Sequence, residues 1–486
     1  MKKLLFSILS FALTVQIAQS QILTKNAFRF NDEPYAGLKS NSITDIIVID
    51  QDTIWLATGS GLSKTEDGGK TWRTFSEKQG IGRGGVSALA MKDSVMWAAT
   101  AFDTLVLEAH EAAGGGLSYS HDYGKTWTHI PQPEPNNDWT IINNVTYDIA
   151  IMDSAIWIAS FGGGLMKSTD GGKSWFVRPP DDYNFNPDEY LNHRVFSLLA
   201  IGDTLWVGTA EGINVTYDLG RTWTQFTHQN QEQSISGNFV VALALQQLPG
   251  KQVLWASTIN AEGTDEKRAI SKTENIGLSW QTYLEGKFTY NFGFDGEVVY
   301  AATDSGLWKS PNGGADWEVF PPIVDVGGEN IGLKERIYSI EYYAVAMAPN
   351  NTLWVGTPDG LAYTSNNGNE WHILRSFVKP GENSEPRVYA YPNPFSPLRF
   401  NLLGGDGFIR FQFNTRQSGQ ATIRIFDFAM ELITSIDGGY WGANQDCAVA
   451  WNCRDGSNKL LANGVYFYQL DLEGDGKYWG KIVIID

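Results

Sequence analysis

Asp45 and Asp148 stand at one aligned position of a short apolar segment that recurs along the chain, where the other copies carry Ala88, Leu198, Ala242, Asn291 and Ala344. Acids at equivalent places in a repeat can face one another across a common axis. There they could divide acid and base roles in hydrolysis, or hold a cation. Each could equally bond neighbouring backbone or channel water. A second group lies in "PPDDYNFNPDEYLNHR" (179–194), where Asp181, Asp182, Tyr183, Phe185 and Tyr190 crowd together, with Trp139 and Tyr342 in other connections. Rings offer apolar faces to a sugar or peptide, and carboxylates take hydroxyls or cations. Long loops also need aromatics to pin them down. The 6 histidines are scattered without ligand spacing, so no metal site and no cofactor is expected.

A repeat must position these residues. The pattern Ser/Thr, any, Asp/Asn, any, Gly, any, any, Trp occurs from Thr65 to Trp72, Ser120 to Trp127, Ser168 to Trp175, Thr216 to Trp223, Thr273 to Trp280, Ser310 to Trp317 and Thr364 to Trp371. Its third position is Asp67, Asp122, Asp170, Asp218, Asn275, Asn312 and Asn366. Short polar side chains bond the turn's own backbone, Gly accepts a positive φ, and Trp buries a ring between repeats. Each box follows a strand such as "TIWLAT", "AIWIAS" or "TLWVGT", itself preceded by an apolar run such as "ALAM" or "SLLAI". One unit therefore reads as strands A, B, C, the box, and D. Antiparallel four-stranded units of this length are blades of a β-propeller.

The boxes resemble the Asp-box (BNR-like) repeat of sialidases, sortilin-type receptors, xyloglucanase-type glycosidases and photosystem II assembly factors. That resemblance implies an all-β fold with a seven-bladed β-propeller at 42–377. It does not carry over catalytic residues. The arginine triad of sialidases begins with an Arg-Ile-Pro motif, which is absent here. Xyloglucanase-type enzymes place a catalytic Asp after the first strand B, where this chain has Thr58-Gly59-Ser60-Gly61.

Alternating strand direction puts the A–B turns and the boxes on one face, and the B–C and D–A connections on the other. The interval from the strand B aromatic to the box Trp is 17, 30, 18, 17, 25, 17 and 17 residues, so units 2 and 5 carry insertions at the loop before or beginning strand C. The D–A connections 128–144, 176–193, 224–238 and 318–340 are also long. All this extra length falls opposite the boxes, which makes that face the expected working surface.

Residues 378–388, "VKPGENSEPRV", read as a linker. From 389 to 486 period-two strands such as "FIRFQFN" and "ATIRIFDF" predict a small antiparallel sandwich. Pro392, Asn393 and Pro394 in "YPNPF", Gly464 and Tyr466 in "NGVYFY", and Lys481 in the closing "KIVI" resemble the type A sorting domain of type IX secretion, which is similar to an FlgD-type immunoglobulin-like fold. The resemblance implies handling by the translocon or attachment machinery, through addition of the last strand to a sheet. Cys453 stands where that family usually has Gly. A bond between Cys447 and Cys453 needs a bend, since one extended strand would part them by about 20 Å.

The start has the form of a secretory signal peptide at 1–20, with Lys2 and Lys3 before an apolar run. Residues 21–41 form an N-terminal segment whose 22–31 stretch is a candidate clasp strand. The formal charge of −18 argues against nucleic acid or anionic lipid as partner, and no integral membrane segment is expected after the leader. The expected protein is secreted or on the cell surface, a non-enzymatic scaffold binding a glycan or envelope protein. A glycoside hydrolase acting on extracellular glycans is the alternative.

Overall fold

The computed structural model describes residues 37–106, 109–135, 142–261, 263, 265–325, 336–376, 380, 386–397 and 408–485. The leader, the candidate clasp strand and Trp139 lie outside the described residues. From 43 to 374 the chain forms seven four-stranded antiparallel sheets, each built from consecutive strands. Strand B of each sheet is sandwiched between neighbours and buried around its aromatic residue. Ile54–Thr58, Ile156–Ser160 and Leu353–Thr357 have no exposed position. Each strand A packs on the next, and Ile43–Val48 of sheet 1 packs on Ala344–Met347 and Leu353–Thr357 of sheet 7, which closes a ring. Closure needs no exchanged strand. Residues 38–41 reinforce it: Leu38 packs with Trp354, Ser376 N donates to Asn41 Oδ1 at 2.6 Å, and Gly360 N donates to Asn41 O at 2.8 Å.

The boxes make the contacts between sheets. In the third, Ser168 Oγ donates to Asp170 Oδ1 (2.9 Å) and accepts from Gly172 N (2.8 Å), while Ser174 gives its N–H and its hydroxyl to the two Asp170 oxygens. The Ser174 hydroxyl and N–H hold the Asp170 carboxyl down to about 2. Trp175 then stands edge-on against Trp97 of sheet 2, with centroids 6.0 Å apart. The same step recurs as Trp127 on Trp55 and Trp317 on Trp255, and Trp72 of sheet 1 meets Trp354 of sheet 7 at 6.3 Å. These four boxes thus clasp the preceding strand B, whereas Trp371 of sheet 7 stands edge-on against Phe320. At about 25 cal/mol per Å² and roughly 200 Å² per ring, one fully buried tryptophan contributes about 5 kcal/mol. The box glycine is obligatory: at Gly172, φ is +87° and a Cβ would lie 2.3 Å from the Trp97 ring.

The insertion in sheet 2 is not a loop. It lengthens strands B and C into a long hairpin, Val95–Val106 and Ala109–Ser120, whose pairing continues past Thr100 to Val106 and Ala109.

The C-terminal segment forms a three-stranded sheet (Val388–Tyr391, Ile409–Asn414, Asp446–Trp451) and a four-stranded sheet (Leu432–Trp441, Gly419–Phe426, Gly464–Leu472, Gly476–Ile484). They enclose one core containing Phe411, Phe413, Ile423 and Tyr468. Cys447 and Cys453 are both buried and free, and Cys453 has φ +55°, which accounts for a preference for Gly there. Asn393 accepts from Val483 N (3.0 Å) and donates to Lys481 O (2.9 Å), while Phe395 exchanges backbone bonds with Val483 and Ile485. The outer edge of the last strand is therefore occupied by the "YPNPF" segment. Strand addition at that edge would have to displace it.

Candidate functional site

The site begins with a bulge. In sheets 1 to 6, strand A slips register by one residue against strand B, at Thr44, Ser87, Tyr147, Phe196, Val241 and Tyr290. A bulge sends two successive side chains to one side, here the axis of the ring. The residues after the bulge form one layer: Asp45, Ala88, Asp148, Ser197, Ala242 and Asn291, each paired with the residue two beyond the strand B aromatic, with Ala344 in the same pairing in sheet 7. This corrects the alignment at one place. Ser197, not Leu198, belongs to the layer, because Ser197 pairs with Gly208 and Leu198 has moved on to Val207.

Four of the seven layer positions are polar, Asp45, Asp148, Ser197 and Asn291. Asn291 Nδ2 donates to Asp45 Oδ1 at 3.3 Å, which also accepts from Ile46 N at 2.8 Å. Sheets 6 and 1 are not neighbours, so the first of these bonds spans the ring interior. Asp148 accepts from Ile149 N (2.8 Å) and, across to sheet 4, from Leu198 N (2.7 Å), so both of its oxygens are engaged. Both aspartates keep some contact with the axial space yet are surrounded by protein. Burial pushes Asp45 up to about 6, against the N–H of Ile46. Burial pushes Asp148 up to about 7, opposed by the N–H groups of Leu198 and Ile149 and aided by the charge of Asp45.

The residues at the bulges lie one step nearer the loop-bearing face. They form an aromatic rim that sequence reading missed. Tyr147 stacks on Phe196 at 5.5 Å and Phe196 meets Phe239 at 4.4 Å. Across the ring Tyr290 meets Tyr343 at 5.1 Å, and the Tyr343 hydroxyl donates to Glu341 Oε2 at 2.9 Å. Thr44 and Ser87 leave the rim low on the side between. An aromatic rim above two carboxylates, an amide and a hydroxyl can receive a cationic or hydroxyl-rich group. A nucleophile with its base, or a converging cation pair for an oxyanion, is not assembled at this layer.

The 179–194 loop mostly holds itself. His193 is fully buried, accepts from Asn186 N at Nδ1 (2.9 Å) and so donates from Nε2 to Asp181 Oδ1 (3.0 Å). Asn192 donates to the other Asp181 oxygen, Phe185 stacks on His193, and Tyr183 stacks on Tyr190 at 4.9 Å. Only Asp182 and Tyr183 of the named set are well exposed. Tyr342 is a correction: it is 5% exposed, buried in the core of sheets 6 and 7, and burial pushes its hydroxyl up to about 12. Its neighbour Tyr343 is equally buried, with its ring against Tyr290. Among the described residues no three His, Cys, Asp or Glu side chains converge to hold a metal ion, and no helix is long and apolar enough to cross a membrane.

A closed ring of radially packed four-stranded sheets has one name. The chain is a β-propeller. The crystal structure of the Niastella koreensis GH74 enzyme aligns with 93% of this chain and 74% of its own at a TM-score of 0.52 and 13% identity. A xyloglucanase from a Paenibacillus species is 24% identical over 219 residues, and a sialidase from Bacteroides fragilis is 24% identical over 267 residues. The propeller chain spans 20% of the length of the first and 47% of the second. No protein-family model matches it. These likenesses carry the propeller fold.

Proposed function

We propose that the protein is an exported binding propeller, with seven blades and an immunoglobulin-like C-terminal module, that takes its ligand at the loop-bearing mouth of the axis. One observation carries this reading: the polar layer bonded across the axis beneath an aromatic rim, with its carboxylates tied to backbone N–H groups. Such an arrangement supplies a shaped, acidic, ring-walled mouth. It leaves Asp148 with no oxygen free of a backbone partner for proton transfer. The ligand class is a glycan or an envelope protein. Delivery to the surface by type IX secretion rests on the signal-like start and on the sorting-domain resemblance of 389–486. The second reading, a glycoside hydrolase, is favoured by the raised Asp45 and Asp148 carboxyls, which can carry protons near neutral pH, and by the likeness to a xyloglucanase and a sialidase.

A glycan array run beside a hydrolysis screen separates the two. Binding without turnover, weakened by substitutions at Tyr147 or Tyr290, is the expected result. Turnover abolished by Asp148→Asn with the fold intact would replace the binding reading by the enzymatic one. For the address, deletion of 389–486 is expected to leave the chain in the periplasm, and a truncated chain still found at the surface would overturn that assignment.

A further inference from the structure

Asp359 sits in the short B–C turn of sheet 7, between Leu353–Thr357 and Gly360–Thr364, on the loop-bearing face. It is fully buried. Two arginines reach it from different parts of the chain. Arg375, just beyond strand D of the same sheet, donates to Oδ2 at 2.9 Å and to Oδ1 at 3.2 Å, and also to the Asp359 carbonyl at 2.8 Å. Arg410, from strand Ile409–Asn414 of the C-terminal sandwich, donates to Oδ1 at 2.6 Å and is 4% exposed. Tyr338 N donates to Oδ2 at 2.8 Å. Beside this ion group the Tyr338 ring packs on Phe408 of the C-terminal segment at 4.2 Å, and the Arg410 guanidinium lies over the same ring at 5.6 Å.

We infer that Asp359 is the centre of a docking surface whose partner is the protein's own C-terminal sandwich, fixed on the working face beside the axial rim, and that this surface is built to separate cleanly. The partition of charges supports the second half. When the sandwich leaves, Asp359 keeps Arg375 and the N–H of Tyr338, so the propeller retains no unpaired buried charge. The sandwich alone gives up the partner of Arg410. A contact meant only for permanence would share the loss between both sides. Removing one partner of a buried pair is strongly destabilising to the side that keeps the orphaned charge. Burial alone would raise the Asp359 carboxyl, but the guanidiniums of Arg375 and Arg410 hold it below the ordinary range, so the clamp stays charged at neutral and mildly acid pH.

The test uses the full chain with spin labels at exposed positions, Lys70→Cys in the propeller and Lys459→Cys in the sandwich. Cys447 resists labelling because burial pushes its thiol up to about 12, and a sample without introduced cysteines gives the background. One narrow distance distribution is expected in the parent chain, unchanged between low and about 1 M salt because buried pairs are little screened. Arg410→Gln and Asp359→Asn should each at least double its width. Their thermal effects should differ. Arg410→Gln leaves the propeller transition in place, whereas Asp359→Asn, which strands Arg375, lowers it by roughly 5 °C or more. A broad distribution in the parent chain, broadening by salt, or variants as narrow as the parent would overturn the docking. Equal loss of propeller stability in both variants would overturn the clean separation. If one variant loses its sandwich fold, the other, altered on the opposite side of the interface, supplies the readout.

Discussion

Replacing Asp148 with Asn isolates the charge at the axis. Burial pushes this carboxyl up to about 7, and Asp45 stands at about 6. A carboxyl whose folded value lies above its unfolded value binds its proton more tightly in the folded chain, so stability is highest in acid and falls as pH rises towards the folded value. Between about pH 5 and pH 7, at about 1.4 kcal/mol per pH unit, Asp148 accounts for a loss of about 3 kcal/mol, and Asp45 for about 1 kcal/mol more. The amide in the variant carries no charge but presents an N–H to one of two backbone N–H groups that Asp148 now accepts. That mismatch costs about 1–3 kcal/mol. At pH 5, where the parent carboxyl is already neutral, the variant is therefore the less stable chain. By pH 8 the mismatch is offset by the absent buried charge, and the two curves meet or cross. Urea unfolding followed by tryptophan fluorescence from pH 5 to pH 8 measures this directly. The parent should lose about 4 kcal/mol across the range and the variant about 1 kcal/mol. Parallel curves would refute the reasoning, since they would mean that Asp148 is ionised throughout and that its backbone bonds outweigh its burial.

Three further outcomes follow from the boxes. Trp72→Ala removes a ring that is 5% exposed and joins sheet 1 to sheet 7; it should cost about 4 kcal/mol in urea unfolding and raise amide exchange in those two sheets before the others. Gly172→Ala places a Cβ 2.3 Å from the Trp97 ring at φ +87°, so unfolding should show a loss about 2 kcal/mol larger than at Gly202, where nothing lies within 4 Å and only the φ of +59° opposes a side chain. Asn312 donates from Nδ2 to Asp316 at 2.8 Å; Asn312→Asp sets two exposed carboxylates together and should lower stability by up to about 1 kcal/mol at pH 7, with recovery near pH 4.

The ring was legible because its connecting device is local. The side-chain bonds made by positions one and three of a box join residues within one eight-residue window, so their residue types recur at fixed spacing. Even the partner at position seven varies with position three. Asp67, Asp122, Asp170 and Asp218 face hydroxyl donors at Thr71, Thr126, Ser174 and Thr222. Asn312 and Asn366 face acceptors at Asp316 and Glu370. The sandwich was legible for a similar reason, as its strands alternate with period two. The paired acids were found by the same alignment, and Asp45 does reach the axial layer with Asp148.

What lay hidden depends on contacts that no window contains. A bulge adds one residue without altering composition, so period-two reading places Tyr147 and Asp148 on opposite faces, whereas the register shift turns both toward the axis. The same kind of shift in sheet 4 moved Ser197 into a place assigned to Leu198. Counting residues to the box could not tell a loop from a longer hairpin in sheet 2, since both have the same length. The clamp was beyond reach for a further reason. Asp359 and Arg410 are 51 residues apart, and Asp359 fills a B–C turn position that other sheets give to Ser60, Glu211 and Ser305, so its place in the repeat does not mark it. A buried charge looks like any surface charge until its partner is in place. The rim and the clamp are therefore where this chain departs from its own repeat, and both departures fall on the loop-bearing face. The repeat is satisfied everywhere on the box face, so selection for a ring alone would leave the two faces alike. That difference is the ground for the binding function proposed for the axial mouth.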